Sequence, residues 1–69
     1  MSLRKYLIDF GILDFKVGDK VIPNPKIFKP NYQMVDGADY AVIRYYDGWT
    51  VRVEGNITPF TKLEITLAT

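Results

Sequence analysis

Side chains able to do chemistry are scarce in this chain. Its 69 residues include no histidine and no cysteine. The usual proton shuttle near neutral pH and the usual thiolate nucleophile are therefore both missing. Carboxylates, lysines, tyrosines and hydroxyls remain. The eight acids are scattered and fall mostly in turns. Asp36 and Asp39 flank Gly37-Ala38, and Asp47 precedes Gly48. Short acids at such positions bond the backbone N–H groups of their own turn. Asp36 and Asp39 alone supply too few oxygens for a calcium site. The histidine and cysteine sets that hold zinc do not exist here, and no glycine motif suited to cradling phosphate is present. The expectation is a protein that is not an enzyme and carries no cofactor and no metal.

Two surfaces are candidates for binding. The first is basic. No acid lies between Asp19 and Asp36, while Lys20, Lys26 and Lys29 fall there with Phe28 and Tyr32 interleaved. The net charge of the chain is only +1, so the rest of it is net acidic and the asymmetry is local. Lysines contact phosphates and aromatic rings stack on bases, a mixture suited to single-stranded nucleic acid. Three phosphate contacts would make a weak, salt-sensitive binder. The plainer alternative is that Ile27, Phe28 and Tyr32 pin the loop to the domain while the lysines solubilise it.

The second surface is aromatic. Tyr40, Tyr45, Tyr46 and Trp49 cluster in sequence, and Tyr32 is a candidate to join them. Tyrosine and tryptophan dominate the energetics of protein contacts. The expected protein-binding residues are Tyr32, Ile43, Tyr45 and Trp49. Ile43 and Tyr45 are expected on the outer face of a hairpin, where they form an apolar patch unless residues 1–14 cover them.

The elements that must position these groups can be read along the chain. Leu3, Tyr6, Leu7 and Phe10 share one helical face, with Ser2 placed to start a helix and Gly11 to end it. Tyr6, Ile8, Phe10 and Ile12 also alternate as in a strand, so this segment is helix or strand, with a short helix preferred. Arg4 and Lys5 sit where the helix dipole favours acids. Gly18-Asp19 marks a turn into a strand through Lys20, Val21 and Ile22, with Phe15, Val17 and Val21 expected inward. Pro23, Pro25 and Pro30 exclude a helix interior or a central strand from the next stretch. Tyr40 to Tyr46 and Trp49 to Val53 flank Asp47-Gly48, a strong hairpin signal. A two-residue type I′ loop there would set Tyr46 opposite Trp49, Arg44 opposite Val51 and Val42 opposite Val53. That face, with Tyr40, is expected to be the core. Ala41, Ile43, Tyr45, Thr50, Arg52 and Glu54 are expected on the other. Gly55-Asn56 forms another turn, Thr58 to Thr61 can form a 3₁₀ turn, and Leu63, Ile65 and Leu67 alternate in a last strand.

This order of parts resembles a small SH3-like barrel. The resemblance rests on the opening Phe15-Lys16-Val17-Gly18-Asp19-Lys20-Val21-Ile22, on the proline-containing loop after it, on the central hairpin, and on the turn before the strand ending at Leu67. It covers residues 15–67. It implies an all-β fold, a strongly bent sheet of five strands, and no single function. The domain division it suggests is an N-terminal extension, residues 1–14, packed on a barrel of residues 15–69.

A chain of this length buries only about 60% of its unfolded surface. No disulfide can staple it, so its stability must come from packing or from a partner subunit. Hydrophobic residues make up 48% of the chain, including one tryptophan, five tyrosines and four phenylalanines. No run approaches the roughly 20 apolar residues of a membrane span. The start does not read as a signal peptide, and the lack of cysteine fits the cytoplasm. The functional expectation is a non-catalytic adaptor or assembly module that binds a protein partner. The alternatives are an RNA- or DNA-binding module using the 20–33 loop and a self-assembling structural subunit.

Overall fold

A computed structural model describes residues 3–68. The order of elements is helix α1 (Leu3–Asp9), strands β1 (Lys20–Pro23), β2 (Ala41–Tyr46), β3 (Thr50–Val53) and β4 (Asn56–Thr61), a 3₁₀ turn (Lys62–Glu64) and strand β5 (Ile65–Leu67). The strands form one antiparallel sheet in the order β4-β3-β2-β1-β5. The sheet is not closed into the expected barrel. Strands β4 and β5 lie at its opposite margins.

The core gathers on one face. Val21, Met34, Ala41, Ile43, Val51, Val53, Phe60, Ile65 and Leu67 are buried, with Val21, Ile43 and Val51 the most completely enclosed. Ile8, Phe15, Phe28, Val35 and Tyr46 pack around them. Each fully buried aliphatic side chain contributes about 1.5–3 kcal/mol. The long loop between β1 and β2 is therefore no mere tether, since it supplies Met34 and half-buried Phe28.

The central hairpin forms where the sequence places it, but in a different register. Tyr46 pairs with Val51, Tyr45 with Arg52, and Ile43 with Val53, with an irregularity at Arg44. The Asp47 N–H reaches the Thr50 carbonyl at 3.4 Å, so Gly48 and Trp49 occupy the tip. A type I′ turn centred on Asp47-Gly48 needs positive φ at both residues. Only Gly48 has it, at +100°. Near the tip the offset from the expected register is two residues, which preserves facing. Tyr46, Val51 and Val53 point inward as expected. Beyond Arg44 the offset is one residue, which exchanges faces. Ile43 and Ala41 are therefore buried, while Arg44 is exposed on the bulge rather than set in the core face.

The N-terminal helix forms, but the face expected to anchor it does not. Leu3, Tyr6 and Phe10 are exposed, and Ile8 is the residue that meets the core. The helix ends at Gly11, whose φ is +79°. The Gly11 N–H bonds the Ile8 carbonyl at 3.0 Å and the Ile12 N–H bonds the Leu7 carbonyl at 2.9 Å. This pair of bonds is the Schellman pattern. Ser2 lies outside the described residues, so its expected capping is not described.

Three smaller expectations are corrected. Val17 is exposed because Lys16 to Asp19 close a turn, with the Asp19 N–H on the Lys16 carbonyl at 3.1 Å. Leu63 is exposed because it falls in the 3₁₀ turn, which forms three or four residues later than expected. Residues 56–61 are a strand, not a turn. Its Pro59 is tolerated because β4 is marginal in the sheet.

Candidate functional site

The hairpin tip is organised by one carboxylate. Asp47 Oδ1 accepts the backbone N–H of Trp49 at 3.0 Å and of Thr50 at 2.8 Å, and Oδ2 accepts the Tyr45 hydroxyl at 3.1 Å. The bonds from Thr50 and Trp49 hold the Asp47 carboxyl below its ordinary pKa. The same carboxylate pushes the Tyr45 phenol above its own. Turn chemistry was the role expected of Asp47. Its use as the anchor of Tyr45 was not expected.

This anchoring leaves two large rings in the open. Tyr45 is 46% exposed and Trp49 50%. Arg52, exposed, pairs across the strands with Tyr45. Tyrosine, tryptophan and arginine are the residue types enriched among energetic hot spots. Tyr46 takes the opposite role. Its ring meets Phe15 edge-on at 6.0 Å, and its hydroxyl donates to Asp14. Burial first, and then this bond, push its pKa well above the ordinary tyrosine value. Tyr46 thus ties the N-terminal segment to the hairpin.

Ile43 cannot belong to the proposed surface. It is 1% exposed, because the bulge at Arg44 turns it into the core. Tyr32 is partly exposed but belongs elsewhere. It stacks on Phe28 with ring centroids 4.5 Å apart, and Phe28 in turn meets Phe60 edge-on at 6.4 Å. Among the described residues no ring contact joins Tyr32 to Tyr45 or Trp49. Of the four expected protein-binding residues, the hairpin brings together two.

The basic residues are dispersed. Lys20 lies over the Tyr40 ring, 5.0 Å from its centroid. Lys26 lines a groove beside the N-terminal segment, and Lys29 lines a different cleft with Tyr32 and Asp36. Phe28 is committed to its two ring contacts, so the loop is pinned to the domain as the plainer alternative supposed.

No family description matches this chain, and neither curated proteins nor solved structures give a match. Among the described residues no three metal-ligating side chains come together. No helix among them is long and apolar enough to cross a membrane.

Proposed function

We propose that this chain is a non-catalytic interaction module that binds a protein partner through the β2–β3 hairpin. The observation that carries this reading is the Asp47 carboxylate holding Tyr45 and the Trp49 backbone in place while both rings stay about half exposed. A ring tethered before binding, as Tyr45 is, loses little freedom on contact, so more of its burial appears as affinity. The absence of histidine and cysteine supports a non-catalytic role. The central hairpin and the 3₁₀ turn just before β5 support an SH3-like reading of the open sheet.

The test is selection of binders from a displayed random-peptide library on the full chain. Binding of the selected peptides should fall by about 2 kcal/mol or more on Trp49→Ala, the magnitude of a hot spot. It should fall again on adding Tyr45→Ala, and stay unchanged on Lys26→Glu. Selected peptides that bind the Trp49→Ala, Tyr45→Ala double variant as well as the native chain would refute the proposal.

Nucleic-acid binding through Lys20, Lys26, Phe28, Lys29 and Tyr32 has less support, because these lysines sit at separate places. A gel shift with single-stranded RNA at about 50 mM salt, where electrostatic affinity is large, decides it. Self-assembly is tested by the solution mass of the chain at high concentration.

A further inference from the structure

A cleft lies at the end of β2 farther from the hairpin tip. Residues of the β1–β2 loop, the last residue of β1 and the first of β2 enclose a cavity of about 440 Å³. That size suits a small ligand. Its walls are stiff. Pro23 and Pro30 restrict the backbone on two sides. Met34 and Ala41, both buried, join the lining to the core.

Two partly exposed rings border the cleft, Tyr32 at 38% and Tyr40 at 44%. Tyr32 is held by stacking on Phe28, the two rings 11° from parallel, and Phe28 meets buried Phe60. Tyr40 carries the Lys20 ammonium 5.0 Å from its ring centroid. The face of a tyrosine ring attracts a cation through its quadrupole. Tyr40 therefore already takes a cation from its own chain.

Asp39 is the only charged residue in the lining. It is exposed, and among the described residues it makes no hydrogen bond and no ion pair. The turn role expected of it is filled by other groups. The Ala38 N–H bonds the Val35 carbonyl at 3.1 Å, and the Gly37 N–H bonds Gln33 Oε1 at 3.1 Å. This carboxylate is thus uncommitted, unlike that of Asp47. Lys20 sits on the Tyr40 ring and is not part of the lining.

A cavity with two aromatic rings, one uncommitted carboxylate and no lining cation favours a positively charged guest. We propose that this cleft binds a small organic ammonium ion, its charge set against the Tyr32 and Tyr40 rings and the Asp39 carboxylate. The site is separate from the hairpin surface and does not depend on it.

The experiment is a titration of the full chain followed by the NMR resonances of Tyr32, Tyr40 and Ala41. The probes are choline, its neutral carbon isostere 3,3-dimethylbutan-1-ol, and Nα-acetyl-lysine amide. Choline should bind in the millimolar range and shift all three residues, and the isostere should bind more weakly. Asp39→Asn should weaken choline about threefold, the scale of one exposed charge. Tyr40→Leu should weaken it by a similar factor. Lys20→Met removes the competing cation and should tighten it. Choline binding more tightly than the lysine derivative would assign the site to a free quaternary ammonium, and the reverse order to a side chain of a partner. Trp49→Ala should change nothing, which separates failure here from failure of the hairpin proposal. The proposal is overturned if no probe shifts these residues at tens of millimolar, or if the neutral isostere binds the native chain as well as choline does. Unchanged choline affinity in Asp39→Asn overturns it too, as does weaker binding in Lys20→Met.

Discussion

Arg4 grips both carboxylate oxygens of Asp19, fifteen residues away in the chain, Nη1 donating to Oδ1 at 2.5 Å and Nη2 to Oδ2 at 2.7 Å. Asp19 is the only buried charged residue among those described, at 7% exposure. Its Oδ2 also accepts the Lys16 N–H at 2.9 Å. Removing Arg4 leaves a buried carboxylate short of its counter-charge, which is costlier than the pair's net contribution. Arg4→Ala should destabilise the domain by about 1–3 kcal/mol, read as a lower urea midpoint with little change in slope. A midpoint unchanged from the native protein would show that the pair holds nothing.

The same pair sets a pH dependence. Burial alone would raise the Asp19 carboxyl, but the bonds from Arg4 and the Lys16 N–H outweigh it and hold the pKa below its ordinary value. The folded pKa is thus lower than the unfolded one. The stability from this group is complete above the unfolded value, about 3.9, and is lost as pH falls through the folded value. The stability gap between the native chain and Asp19→Asn should therefore be constant at neutral pH and narrow progressively below about pH 4. Denaturant titrations at a series of acid pH values measure it. A gap that widens on acidification would contradict the assignment.

The bulge makes a prediction about neighbouring residues. Ile43→Ala removes buried methyl groups and should cost about 2–5 kcal/mol. Arg44→Ala, one residue on and exposed, should lie within about 0.5 kcal/mol of the native chain. The unbulged register would give the opposite order, so one pair of melts decides between them.

Asp47 should matter to order more than to burial. Asp47→Ala removes two backbone bonds and the Tyr45 tether. Loss of this cap-like acceptor should cost about 0.5–2 kcal/mol. Trp49 is the only tryptophan, so its fluorescence anisotropy reports the tip without labelling. A clear fall is expected, and an unchanged value would mean that the carboxylate does not order the ring.

Much of the sheet could be read from alternation and turn residues alone. The hairpin's place, the inward Val51 and Val53, the inward Tyr46 and the buried Ile65 and Leu67 all follow from local pattern. The choice between Val42 and Ile43 could not, because one extra residue at Arg44 reverses facing without leaving a mark in composition. The helix could be foreseen, but its orientation could not. Its anchor is the contact of Arg4 with Asp19, a long-range ion pair invisible to periodicity. Strand β4 was hidden by Pro59, which reads as a break unless the strand is known to be marginal. At the candidate site the hairpin aromatics were visible as residue types, and Asp47 as a turn residue. The groove beside the N-terminal segment was not legible, since its lining comes from three stretches far apart in the chain.

The open sheet also bears on solubility. Pro59 has no N–H to offer along the β4 side, so lateral recruitment of another strand is interrupted there. The opposite margin, β5, is only three residues long, and its Ile65 and Leu67 are buried. A domain with so little unsatisfied ladder resists stacking into fibrils even though it never wraps round to seal itself.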